Sequence, residues 1–455
     1  MSRRLQFHIF TMDSVSHIYH GMWRHPETKS LARHDLDTWV ELAKIAERGC
    51  MDSIFIADVA GLQGDYQGGW DIFPERGIHV PIGDPATLLP AMMHATENLG
   101  FVYTSSMIQY PPFTFARKAS TLDHLSKGRL GWNVVTSATE NAYRNVGFDQ
   151  ILEHDERYEW AEEYLEVVYK LWEASWEDEA VVADVKRGIY ADPSKIHKIN
   201  HKGRRFSVEG PHLLEPSPQR TPVLFQAGAS PAGRNFAARH AEGVFLMVDT
   251  PRDVPAVVRD IRDRVKAAGR PPEDVVFLQG LSLVVGSTQE EAQRKAEELD
   301  EYIDIEASAA MRGGALGIDL ATLDPQTPVT EVLERAPGLR GNLQLWIESE
   351  PNGDQLTVAD LGRFFAQKSR IVGTPESIAD QMQEWADAGV DGFNFIQMVT
   401  PGTFADFVDH VAPELQRRGM MQREYSHGTL REKLFAGRGS HLPDHHTARS
   451  HRHQH

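Results

Sequence analysis

An imidazole and a phenol four residues apart, His154 and Tyr158, close the most chemically suggestive stretch of the chain, Arg129–Tyr158, RLGWNVVTSATENAYRNVGFDQILEHDERY. It opens as an apolar strand, Leu130–Val135, turns polar at Thr136-Ser137, and re-enters a helix near Glu153. That helix carries an apolar stripe at Ala161, Leu165, Val168 and Trp172, with Tyr158 on the same face. A stripe of this kind faces the interior, so its first turn carries His154 and Tyr158 to the end of a buried strand. For an isolated H-x-x-x-Y the plainer explanation, a core tyrosine and a capping histidine, is favoured.

The other candidate groups stand where apolar strands stop. Asp58 follows Ser53–Ala57, and Thr104 ends Gly100–Thr104. Asn133 lies in Leu130–Val135, and Gly228-Ala229-Ser230 follows Val223–Gln226. Each has an ordinary structural explanation; Ser230-Pro231, for example, is a standard N-cap and first-turn pair. Together they describe one rim. A helix entered through Gly228 and Ala229 leaves backbone N–H groups free to hold a phosphate. With His154 and Tyr158 added, the rim suits a phosphorylated, flat, polar-edged molecule.

Other chemistries leave less trace. Neither G-x-G-x-x-G nor G-x-x-x-x-G-K-[ST] occurs, and H-E-x-x-H is absent. A metal-dependent hydrolase barrel often carries H-x-H on its first strand, whereas this one holds only His8, so no metal is expected. A hydrolase using Ser230 as a nucleophile stays open, although the elbow motif needs glycine where Ala232 stands.

The elements that must position these groups alternate. Strands are predicted at Leu5–Phe10, Ser53–Ala57, Gly100–Thr104, Leu130–Val135, Val223–Gln226, Gly243–Val248, Val275–Val285 and Gly392–Ile396, each followed by a helix or by a helix plus an insertion. Alternation of this kind implies parallel strands with right-handed crossovers. Eight such units predict an α/β fold of the (β/α)8 TIM-barrel type with insertions; a doubly wound open sheet is the alternative. The chain of 455 residues exceeds a minimal barrel, and the surplus falls at about 59–85, 136–153, 174–222 and 287–367. Residues 1–436 are expected to form one barrel domain, and the His-rich 437–455 a disordered tail.

The formal charge of −18 argues against nucleic acid as a partner. Cys50 is the only cysteine, so no intrachain disulfide forms, which fits a reducing compartment. No apolar run reaches membrane-spanning length, and a cytoplasmic protein is expected.

Five phrases in this order, IAD at 56–58, YPPF at 110–113, GWNVVTS at 131–137, EHDERY at 153–158 and QAG-SP at 226–231, resemble the bacterial-luciferase-like flavin-dependent monooxygenases, in the branch acting on nitrilotriacetate, EDTA and dibenzothiophene sulfone. The resemblance extends to about Phe435. It implies a luciferase-like barrel that takes reduced FMN from a separate NAD(P)H:flavin reductase and uses O2 to oxygenate a small organic molecule of sulfone, haloaromatic or aminopolycarboxylate type, through a flavin C4a-(hydro)peroxide. Asp58, Thr104, His154, Tyr158 and Ser230 match flavin-contact positions, with Asn133 and the backbone N–H of Ala229 added. HGMWRH, His20–His25, is similar to the sulfone branch near its substrate pocket and makes His20 a candidate for substrate contact or proton transfer. A homodimer or tetramer is also implied. A deazaflavin-dependent dehydrogenase and a non-catalytic flavin-binding subunit are the alternatives.

Overall fold

The computed structural model describes residues 4–228, 230–336, 343–344, 347–348, 352–361 and 370–452. Its centre is a ring of eight parallel strands: Gln6–Met12, Ser53–Ala57, Gly100–Ser106, Leu130–Val135, Val223–Gln226, Gly243–Leu246, Val276–Val285 and Gly392–Ile396. They pair in chain order, and the eighth returns to the first through Gln6 opposite Gly392. The closed (β/α)8 barrel is therefore the observed fold. A short strand, Arg370–Gly373, extends the distal half of the seventh.

The strands read as near-continuous apolar runs because both of their faces are buried. Outward-facing Phe7, Ile54, Phe101 and Trp132 pack under the surrounding helices. Inward-facing Phe10, Phe55, Val102, Phe225 and Leu278 fill the barrel. The amino-terminal end is closed by a late helix, Leu430–Leu434, whose Leu430, Leu434 and Phe435 join the interior cluster. Arg431 anchors this plug: its Nε donates to Glu242 Oε1 at 2.7 Å, and both side chains are fully buried. Polar site residues are thereby left to the carboxyl end.

Two insertions roof that end. The segment after the second strand and the helix Ile305–Leu316 meet through Phe73, Ile78, Ala307 and Ala310. The segment 174–222, expected to be irregular, forms two small antiparallel hairpins, Val181–Asp184 with Ile189–Ala191 and His201–Lys202 with Ser207–Val208. Of the stretch 287–367, residues 337–342, 345–346, 349–351 and 362–367 lie outside the described residues.

The expectation of a disordered tail is corrected by the packing of residues 437–452; 453–455 lie outside the described residues. Leu442 and Ala448 are buried, and a short 3-10 helix spans Thr447–His451. His446 Nε2 donates to the carbonyl of His240 at 3.0 Å, while its Nδ1 accepts from Ala448 N at 3.2 Å. A neutral imidazole satisfies both bonds, and burial keeps its pKa well below the usual value. Histidine in this tail is packing material, which its polar classification in a sequence conceals.

Removing residues 437–455 is expected to lower the unfolding free energy by about 2–4 kcal/mol, from the exposed Leu442 contacts and lost hydrogen bonds. Urea denaturation of the truncated chain checks this; an unchanged midpoint would mean that the tail does not dock in solution.

Candidate active site

The helix His154–Tyr169 begins beside the ends of the fourth and fifth strands. Asp155 and Glu156 in its first turn complement its dipole. Arg157 ties it down by donating from Nη1 to the carbonyl of Ser137 at 2.8 Å. Tyr158, on the opposite flank, lies close enough to the Ser230 side chain for it to oppose the rise in phenol pKa that burial causes. Ser230 also caps the helix Pro231–His240, its Oγ accepting from Gly233 N at 3.1 Å.

This corner is tight. A Cβ on Gly233 would stand 2.7 Å from Tyr158 Oη, and one on Gly228 would stand 2.8 Å from Gly233 Cα. Only glycine lets the two helices and the strand exit approach so closely. Tyr158 and Ser230 thus meet at a helix N-terminus, where free N–H groups and the dipole favour an anion. His154 lies beside them, its ring centroid 5.4 Å from that of Tyr158, half exposed and hydrogen-bonded to Asp155 at 2.9 Å. Ala229 falls outside the described residues.

A second group sits on the neighbouring strands. Thr104 and Asn133 are register partners, and Asn133 Nδ2 donates to Thr104 Oγ1 at 2.9 Å. Asn133 is buried and its Oδ1 has no partner among the described residues. A buried orphan acceptor at a barrel mouth is a position that a ligand's N–H or O–H would complete. Asp58 completes the rim, accepting from Gln109 Nε2 at 3.0 Å. Loss of solvent pushes its carboxyl up to about 6.

Hydrogen bonds join some of these groups into one arc. Gln109 Oε1 accepts from Ser106 N at 2.7 Å, and Ser106 Oγ accepts from Ser137 Oγ at 2.8 Å. Ser137 in turn receives Arg157, the neighbour of Tyr158. Asp58 is thereby linked through Gln109, Ser106 and Ser137 to Arg157, the neighbour of Tyr158, while Thr104 and Asn133 form their own pair on the adjoining strands. Ser137 belongs to the polar strand end Thr136-Ser137 read from the sequence; Gln109 and Ser106 were not singled out there.

His20 belongs to a separate buried cluster. It accompanies His17 on the loop after the first strand and faces His79 at 5.5 Å between ring centroids. His17 packs edge-on against the inward-facing Phe10 at 4.5 Å, so the cluster rests on the aromatic filling of the barrel. Ser16 Oγ bonds His20 Nδ1 at 3.1 Å, while His20 Nε2 and His17 Nδ1 have no partner among the described residues. Burial, then neighbouring charge, lowers His17 to about 3 and His20 well below its usual value; burial also takes His79 down to about 4. All three are neutral near pH 7. Among the described residues, no group of three or more His, Cys, Asp or Glu could hold a metal ion.

The closed eight-stranded parallel barrel with surrounding helices is the fold of luciferase-like monooxygenases. The chain belongs to the luciferase-like monooxygenase family, whose model matches residues 6–392. It is 44% identical over 453 residues to a long-chain alkane monooxygenase of Geobacillus thermodenitrificans (strain NG80-2), covering 99% of each chain. It is 36% identical to nitrilotriacetate monooxygenase component A of Aminobacter aminovorans, over 96% of this chain and 98% of that one. Crystal structures of long-chain alkane monooxygenase and of a riboflavin lyase with modified FMN and riboflavin each superpose with a TM-score of 0.91, at 43% and 36% identity, over 99% of this chain and 100% of theirs. Matches of this extent take in most of the packed tail.

Asp58 yields a pH-dependent stability prediction. Its folded pKa of about 6 lies above the ordinary 3.8, so between these values the folded state holds more protons and stability falls as pH rises. Asp58→Asn removes that loss: it should raise the unfolding free energy at alkaline pH by about 1–3 kcal/mol and change it little near pH 4. Urea melts at the two pH values decide this; equal effects at both would place Asp58 in an ordinary solvated setting.

Proposed function

We propose that this mouth holds FMN in its reduced form, delivered by a separate NAD(P)H:flavin reductase, and oxygenates a small organic molecule with O2. The observation that carries the cofactor reading is the closed corner of Tyr158, Ser230, Gly228 and Gly233 at a helix N-terminus. The relative named component A and the solved relative with modified FMN support it.

In this reading Ser230, Tyr158, the backbone N–H of Ala229 and the first turn of the helix Pro231–His240 hold the phosphate, with His154 at its outer edge. Thr104, Asn133 and Asp58 bind the polar edge of the ring and ribityl chain. The bound flavin supplies the activation of O2. The protein orients it and keeps water away. The roof built from the segments after the second and seventh strands excludes solvent. His20 and His17 offer a substrate neutral nitrogens that have no partner among the described residues; with their basicity suppressed by burial, they hydrogen-bond at pH 7 rather than take up protons.

The substrate proposed is of sulfone, haloaromatic or aminopolycarboxylate type. The enzyme works in the cytoplasm as a homodimer or tetramer.

Two measurements test this. Ser230→Ala combined with Tyr158→Phe should weaken FMN binding at least tenfold, since hydrogen bonds to a charged group contribute about 1.5–3 kcal/mol each; unchanged affinity would remove the phosphate from this corner. With a flavin reductase, NADH, FMN and labelled O2, the protein should place labelled oxygen in a product from a panel of the three substrate types. Turnover with NADH but no reductase would overturn the two-component reading, and turnover without O2 would favour a dehydrogenase.

A further inference from the structure

Gln109 lies outside every motif that carried the family resemblance, three residues past the end of the third strand. We propose that Gln109 is a positioning residue that sets the protonation of Asp58, and with it the pH range over which the site accepts its flavin. The inference rests on the reading of Asp58 as a flavin contact.

The orientation of the Gln109 amide is fixed from behind. Ser106 N donates to Oε1 at 2.7 Å, so the carbonyl end is committed to the backbone and the NH2 end must face Asp58. Nε2 then donates to Asp58 Oδ2 at 3.0 Å. The Gln109 backbone N–H returns to the carbonyl of Ser106 at 3.0 Å, which closes the loop that carries the amide. A donor held in place in this way favours the ionised carboxylate.

Two other charged groups act on Asp58. Asp84, which caps the helix Pro85–His94, opposes ionisation, and Lys118 on the helix Pro112–Leu125 favours it. The two oppose each other, Asp84 the stronger, and Lys118 Nζ is itself 3.3 Å from Asp84. Desolvation raises the carboxyl most, and the Gln109 amide is the chief force lowering it. Asp58 therefore sits between burial and two donors, the oriented Gln109 amide first and the Val59 backbone N–H, which no side-chain substitution removes, second. Ionised, it accepts a hydrogen bond from the ligand; protonated, it loses one acceptor position and presents an O–H instead.

The test compares the wild-type protein with Gln109→Met, which keeps the volume, and Gln109→Glu, which puts a second carboxyl beside the first. Thermal melts establish that each variant is folded; if one does not fold, the other carries the test. Difference infrared spectroscopy follows the carboxyl band that is absent from Asp58→Asn. In the wild type it should titrate near 6. In each variant the midpoint should rise, in Gln109→Met by about one to two pH units, as expected for losing a hydrogen bond to a charged group. An unmoved midpoint overturns the proposal. Quenching of oxidised FMN fluorescence over about pH 5–8 supplies the second readout. Affinity should increase through the wild-type midpoint, and the increase should move to higher pH in the variants. A shifted band with pH-independent FMN affinity upholds the coupling but removes Asp58 from the flavin pocket.

Discussion

The approach of two helix amino termini at one point on the barrel rim is the constraint on which the rest depends. Tyr158 reaches Ser230 only because Gly228 and Gly233 present no side chain there. The strand exit, the cap of the helix Pro231–His240 and the first turn of the helix His154–Tyr169 must all be in place at once. Arg157 and Ser137 fix the second helix against the fourth strand. Moving any of them separates the hydroxyl groups from the helix N-terminus and dissolves the anion site.

The same rim holds groups that a protein selected for stability alone would avoid. Asp58 is a carboxylate deprived of solvent, Asn133 keeps an unpartnered buried oxygen, and His17 and His20 each keep an unpartnered nitrogen. Each costs folding free energy, and they gather at the carboxyl end of the barrel. The opposite end contains the satisfied counterpart: Arg431 is buried, yet it meets Glu242, the carbonyl of Thr221 and the carbonyl of Ser440.

The eight strands were legible because a parallel barrel buries both faces of every strand and leaves unbroken apolar runs. The polar residues ending those runs were legible for the same reason, since an interruption shows only against a regular background. Asp58, Thr104, Asn133 and Ser230 were found that way. Gln109 was not: SSMIQYPPF reads as a plain loop, and the amide acquires meaning only once the Ser106 backbone orients it. The tail was misread because histidine and arginine count as polar in composition, whereas His446 packs as a neutral ring and Arg449 lies 3.6 Å from the buried Glu173. The histidine cluster escaped because His79 comes from a different insertion than His17 and His20, and no spacing rule joins them.

The most direct measurement is a crystal structure of the protein soaked with FMN. The phosphate is predicted within hydrogen-bonding distance of Ser230 and the first turn of the helix Pro231–His240, with the polar edge of the flavin directed to Asn133 and Asp58. Flavin bound elsewhere, such as in the surface cleft that Glu163, His201 and His451 line, or a barrel mouth left empty at saturating FMN, would contradict the account.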